Sequence, residues 1–184
     1  AYLCLGLKLV LIPKADSASF SQMIEKNVAN HIVCVPTIVR VWVNSKESKN
    51  ADLAHIKTLI LGAEKLDPTF EEQANQWLLK HNCKAKITKG YGMTELGAAV
   101  CYTKGDSNIP GTVGVPYVTD VVTVFSEQEG KYVEGKIGEQ GEVCVMSPKC
   151  MLHYLGTGYE QTAAIIKHHE DGTKWVHTGD IGHI

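Results

Sequence analysis

Short runs of branched apolar residues alternate with stretches of helical period through the first hundred residues, and this alternation most constrains the fold. Leu7–Ile12 is one such run, stopped by Pro13, and reads as a buried strand. Asp16 or Ser17 can cap a following helix in which Phe20, Met23, Ile24 and Val28 share one face. His31–Val35 reads as a second strand. A helix opens at Pro36-Thr37 and gives way to the polar loop 44–50. Lys57–Leu61 is a third strand, closed by Gly62. Asp67-Pro68 supplies an N-cap with proline at the first helical position, and Phe70, Ala74, Trp77 and Leu78 form the stripe of a helix reaching about Asn82. Lys84–Thr88 is a fourth strand, running into Gly90. Strands separated by helices predict an α/β fold, a doubly wound and mostly parallel sheet with helices on both faces.

Near residue 105 the pattern changes. Val118–Phe125, Gly141–Ser147 and Thr173–His177 are short strand-like runs between Gly-, Glu- and Lys-rich turns, and only Glu160–His168 keeps a helical signal. The expected organisation is an α/β subdomain over 1–105 and a small β-rich, distorted-barrel subdomain over 106–184.

The chain has 184 residues, 44% of them hydrophobic, enough for one or two small domains. Its 18 basic and 20 acidic side chains give a net charge of −2, so no basic field points to nucleic acid or a membrane surface. No apolar run is long enough to span a bilayer. Leu3–Pro13 is interrupted by Gly6 and Lys8 and does not read as a signal peptide. Cysteines at 4, 34, 83, 101, 144 and 150 form no C-x-x-C, which suits free thiols in a cytoplasmic protein. His168-His169-Glu170 is the only histidine cluster, and adjacent residues face different ways, so no structural metal is expected. The chain opens on Ala1-Tyr2-Leu3-Cys4 with no initiator methionine, which reads as a piece of something larger.

Two glycine-punctuated segments carry the chemistry. Gly90-Tyr91-Gly92-Met93-Thr94-Glu95 follows the fourth strand, and Trp175-Val176-His177-Thr178-Gly179-Asp180-Ile181-Gly182 lies near the end. Gly90 and Gly92 permit a tight turn that gathers the groups around them. Thr94 offers a hydroxyl to a phosphate, and Glu95 a hard oxygen of the kind Mg²⁺ favours. Tyr91 can lay its ring against a purine, and Asp180, in a loop after a strand, can accept from both ribose hydroxyls. Each segment also has a plainer reading as turn chemistry or a helix start.

Further segments extend the pattern in order: Leu61-Gly62-Ala63-Glu64-Lys65-Leu66, Gly111-Thr112-Val113-Gly114-Val115-Pro116, Gly141-Glu142-Val143-Cys144-Val145, then Met151, Tyr154, Tyr159 and Thr162. Together the chain resembles the adenylate-forming superfamily of acyl-CoA synthetases, aryl-CoA ligases, luciferases and peptide-synthetase adenylation domains. Met93, where peptide-synthetase domains usually carry Pro, and Val176-His177 before Thr178 resemble the CoA ligases.

The resemblance implies an ATP-dependent acid–CoA ligase that makes an acyl-adenylate and pyrophosphate and then passes the acyl group to the CoA thiol. Its partners would be ATP, Mg²⁺, CoA and a small carboxylic acid. Apolar Ile60, Leu61, Met93, Leu96 and Ala98 favour an apolar acid over an amino acid. It further implies that Tyr91 stacks on adenine with Gly62, Ala63 and Glu64 lining its other side. Thr94 contacts the α-phosphate, Glu95 binds Mg²⁺, Asp180 holds the ribose, and Gly90 and Gly92 border the acyl tunnel beside Met93.

Departures from the family pattern are equally visible. Ala63 stands where many members have a second glycine, and Lys65 where proline is more usual. Gly156-Thr157-Gly158-Tyr159 departs from the usual "G-Y-x-x-x-P". The Ser/Thr/Gly-rich phosphate loop, a downstream ribose-holding Arg and a C-terminal lid with its catalytic lysine have no counterpart here. The chain therefore resembles the middle of a larger enzyme, partnered by missing parts of the same polypeptide and inactive by itself. Alternatives are a non-catalytic nucleotide-binding module and an adenylation domain that loads a carrier-protein pantetheine.

Overall fold

The structure is a computed structural model that describes residues 3–11, 19–156 and 158–184. The chain forms two compact units, Ala1–Lys89 and Gly90–Ile184. The compositional change near residue 105 falls inside the second. Among the described residues, no helix is long and apolar enough to cross a membrane.

The first unit follows the expected alternation. It contains α1 (Phe20–Asn27), β1 (His31–Cys34), α2 (Pro36–Val43), β2 (Thr58–Leu61), α3 (Pro68–Lys80) and the start of β3 (Ile87–Met93). The three strands run parallel, with Ile32, Leu59 and Ile87 in one register row. That row is buried beneath Ile24 of α1, Val39 and Trp42 of α2, and Phe70, Ala74 and Leu78 of α3. Trp42 meets Phe20 and Trp77 edge-on, each ring centroid 5.2 Å away. The start of α3 follows from its sequence. Pro68 needs no hydrogen-bond acceptor for a missing N–H, and Asp67 Oδ1 accepts the Phe70 N–H at 2.9 Å, a cap worth about 1 kcal/mol.

Residues 7–11 are not a strand. Leu9, Val10 and Leu11 are 48%, 43% and 78% exposed, and β1 pairs with β2 alone among the described residues. An apolar run becomes a strand only where its backbone finds an edge to bond to. Ile12, Asp16 and Ser17 lie outside the described residues.

One feature of this unit was not foreseen. Lys89 Nζ lies 2.7 and 2.9 Å from the two Glu71 carboxylate oxygens, with both side chains buried. Removing one partner of such a pair leaves a charge stranded out of water, at about 3–5 kcal/mol.

The second unit is β-rich, as the composition of its later part predicts. The end of β3 pairs antiparallel with β4 (Ala98–Tyr102), which pairs with β5 (Val115–Pro116). A second antiparallel sheet curls into a half-barrel in the order β7 (Lys131–Glu134), β6 (Val121–Gln128), β8 (Gln140–Met146), β10 (Lys174–His183), β9 (Ile166–His168). One of its faces packs Val122, Val145 and Val176 against Leu96 and Val100. The other carries Phe125, Cys144 and Trp175 beside Tyr132. The predicted helix 160–168 is realised as α4 (Tyr159–Ile165), after which Ile166 pairs with Val176 as strand.

β4, β5 and β7 were not predicted. The β6–β7 hairpin turns through Glu129-Gly130, both at positive φ (51° and 78°), a conformation that Asn-Gly signals far more plainly in a sequence. The six cysteines are all unpaired. Burial pushes the thiols of Cys34 and Cys144 up to about 12, so both stand protonated at neutral pH while no metal is bound.

Candidate functional site

The first motif is not the tight turn its glycines suggest. Gly90–Met93 continue β3 as extended chain, and a bulge between Tyr91 and Gly92 shifts the register against β4. The reason lies in close approach rather than in φ. A Cβ on Gly92 would stand 2.0 Å from the Ala98 carbonyl oxygen and 2.7 Å from the Ala99 Cα. Only glycine lets β4 come so near. Gly90 is different, for a Cβ there would meet Ala99 Cβ at an ordinary 3.9 Å.

This arrangement presses Tyr91 and Met93 against the Leu96–Val100 cluster. Thr94 is exposed and opens a short 3₁₀ turn, Thr94–Leu96, which Gly97 closes by donating its N–H to the Thr94 carbonyl at 3.0 Å.

The second motif also lies within a strand rather than after it. Between His177 and Ile181 the β10–β8 register breaks, and Thr178-Gly179-Asp180 bulge out. Side chains hold the bulge. Thr178 Oγ1 donates to the Val143 carbonyl at 2.8 Å and accepts the Asp180 N–H at 3.1 Å. Glu142 Oε1 accepts the Gly179 N–H at 3.0 Å, with Gly179 at φ +77°. The Asp180 carboxylate is thereby presented to solvent.

The two motifs meet. Tyr91 donates its hydroxyl to Asp180 Oδ2 at 2.7 Å, across 89 residues of sequence. Burial pushes the Tyr91 phenol above its ordinary value, Thr178 pulls it down and Asp180 pushes it up, so the hydroxyl stays a donor.

Glu95 is drawn into a third segment. Tyr154 donates its hydroxyl to Glu95 Oε1, and the Met151 N–H donates to the Glu95 carbonyl at 2.8 Å. Thr162 Oγ1 accepts the Tyr154 N–H at 3.0 Å and donates to Gly158 O at 2.7 Å, which orients the tyrosine. The bond to Glu95 is the main cause that raises the Tyr154 phenol. A single carboxylate beside the Thr94 hydroxyl fits Mg²⁺, which keeps waters and takes phosphate oxygens instead of an all-protein cage.

In the first unit, the Gly62 N–H reaches the Cys34 carbonyl at 3.3 Å, and Ala63 holds a glycine-like φ of +66°. Glu64 Oε2 accepts from Thr37 N at 3.1 Å and Thr37 Oγ1 at 2.7 Å, so this carboxylate caps the positive start of α2.

Sequence reasoning missed the Tyr154–Glu95 and Glu142–Gly179 contacts. Both partners lie in segments that the motif pattern marks, yet no spacing rule foretells a contact that only chain closure creates.

The chain matches the AMP-binding enzyme family over residues 1–155. It is 28% identical over 181 residues to a probable 4-coumarate–CoA ligase 1 of Dictyostelium discoideum, covering 97% of this chain and 31% of the relative. It is likewise 28% identical over 182 residues to a long-chain-fatty-acid–CoA ligase of Bacillus subtilis, covering 98% and 30%. The crystal structure of a long-chain-fatty-acid–CoA ligase from Archaeoglobus fulgidus superposes with a TM-score of 0.79 at 26% identity, covering 92% of this chain and 34% of that one. The N-terminal domain of FACL13 from Mycobacterium tuberculosis shares the fold at a TM-score of 0.78 and 21% identity, covering 100% and 43%. The chain thus spans about a third of the length of the curated relatives it matches. With the motifs in order, the sheet and half-barrel in place and the match running through most of the sequence, the chain belongs to the AMP-binding enzyme family.

Proposed function

We propose that the chain is the nucleotide-holding part of an ATP-dependent acid–CoA ligase. The observation that carries this reading is the Tyr91–Asp180 hydrogen bond, which unites the two motifs around one exposed carboxylate. The CoA ligases among its relatives support the reaction class.

In this reading Asp180 accepts the ribose hydroxyls, and the Thr178 and Glu142 bonds fix its loop before ligand arrives, so little ordering entropy remains to be lost. The Tyr91 ring lies along the adenine. Thr94 donates its hydroxyl to the α-phosphate as charge gathers there. The carboxylate of the acid attacks the α-phosphorus in line, pyrophosphate leaves, and the CoA thiol then attacks the acyl carbon and displaces AMP. Glu95 would hold a Mg²⁺ ion, which would supply positive charge to the phosphates, and Tyr154 orients the Glu95 carboxylate. Gly90, Gly92 and Met93 border the acyl group, and the apolar surroundings favour an apolar acid. The chain contains no phosphate-loop sequence, so it is expected to show no pyrophosphate exchange by itself.

The test is an AMP titration followed by heteronuclear NMR, repeated with Asp180→Ala. Shifts at Tyr91–Glu95 and Gly179–Ile181 that vanish in the variant are the expected result. No shift at millimolar AMP would overturn the assignment of a nucleotide half-site to this chain.

A further inference from the structure

The sheet face that carries Phe125, Cys144 and Trp175 holds a second cluster, of which the nucleotide reading uses only Glu142. Cys144 of β8 lies directly opposite His177 of β10, and Glu142, two residues along β8, points to the same face. One ligand atom from each of these three side chains lies within 4.8 Å of the other two. The geometry points to a binding site for a thiophilic divalent cation, of which Zn²⁺ is the best chemical match, formed by Glu142, Cys144 and His177 and oriented by His169.

Three observations support the assignment. The donor set is one sulfur, one imidazole nitrogen and one carboxylate oxygen, the mixture that Zn²⁺ and Co²⁺ accept and that Mg²⁺ and Ca²⁺ do not. Second, the imidazole is already oriented. His177 Nδ1 faces Glu142 Oε2 at 2.7 Å, while His177 Nε2 faces His169 Nε2 at 3.0 Å. When the His177 proton sits on Nε2 and is given to His169, Nδ1 and the carboxylate become two acceptors in contact, and a cation resolves their repulsion. A bound histidine whose other nitrogen donates to a fixed partner is the usual second layer of a metal site. Third, a cation has a way in. The Glu142 side chain is 29% exposed, so the cluster meets solvent through its carboxylate.

As the metal bonds to sulfur, the Cys144 thiol releases its proton to solvent. Glu142 then carries two loads, the metal through Oε2 and the Gly179 N–H through Oε1.

Cobalt titration of this chain without nucleotide tests the site. One equivalent of Co²⁺ with a thiolate-to-cobalt charge-transfer band, displaced by Zn²⁺, is expected. The band should vanish in Cys144→Ser and persist in Cys4→Ser and Cys150→Ser. Glu142→Gln, at a half-buried position, should weaken cobalt binding at least about tenfold while near-ultraviolet circular dichroism stays native. It decides the question should Cys144→Ser fail to fold. No charge-transfer band in the parent chain, a band that survives Cys144→Ser, or unchanged affinity in Glu142→Gln would each overturn the proposal.

Discussion

The two halves of the candidate site are fixed by opposite means. The Tyr91 half is shaped by something absent: Gly92 carries no side chain, and β4 closes to within 2.0 Å of where a Cβ would be. The Asp180 half is shaped by something added. Thr178 and Glu142 hold a bulge by hydrogen bonds, and nothing lies within 4 Å of a Cβ built on Gly179. Steric exclusion tolerates no substitute, whereas a hydrogen-bonded loop can lose one tie and keep its form.

The contrast can be broken most forcefully at Gly92. Gly92→Ala must push two backbones apart, and denaturant unfolding should show a loss of about 3 kcal/mol. Gly90→Ala, two residues away, is the control and should stay within about 0.5 kcal/mol of the parent. Equal losses at the two positions would show that close approach is not the cause. Thr178→Val removes two hydrogen bonds from the bulge and should cost about 1–2 kcal/mol, with amide shifts confined to residues around Asp180. A smaller effect belongs to Gly179→Ala, where only a left-handed φ is strained. About 1 kcal/mol is expected, and a cost as large as that of Gly92→Ala would remove the distinction between the two halves.

The smallest effect sharpens the comparison through pH. Burial first, and His177 next, hold His169 below its ordinary 6.5. The folded chain refuses a proton that the unfolded chain accepts. Stability is therefore full above 6.5 and declines as pH falls through that value. The decline, read from urea midpoints, should flatten in His169→Gln and persist in Gly90→Ala.

Much of the first unit was legible because its signals are local. Asp67-Pro68 announces α3, and the Ile32, Leu59 and Ile87 runs announce a sheet buried by its helices. Leu9–Leu11 misled because branched apolar residues state a preference for burial, not the presence of a neighbour to bond. The site was legible in its residue types and not in its form. Gly92 and Gly179 look alike in a sequence, yet one is needed for contact distance and the other for φ, and the motifs read as loops proved to be interruptions within strands. Tyr91 and Asp180 were each singled out for a ligand, and their bond to one another emerged only from the fold. The Glu71–Lys89 pair left no trace, since an acid on a helix and a base on a strand 18 residues on ordinarily face water.

That pair also gives the chain a built-in chemical reporter. Among the described residues Lys89 is the only buried lysine, and its amine is enclosed by a carboxylate one residue before the Tyr91 motif begins. An amine-reactive ester added to the native protein will label the exposed lysines and spare this one. Modification at Lys89 therefore counts the moments when the first unit opens, and its rate, followed by peptide mass mapping, measures that opening without any probe being engineered into the chain.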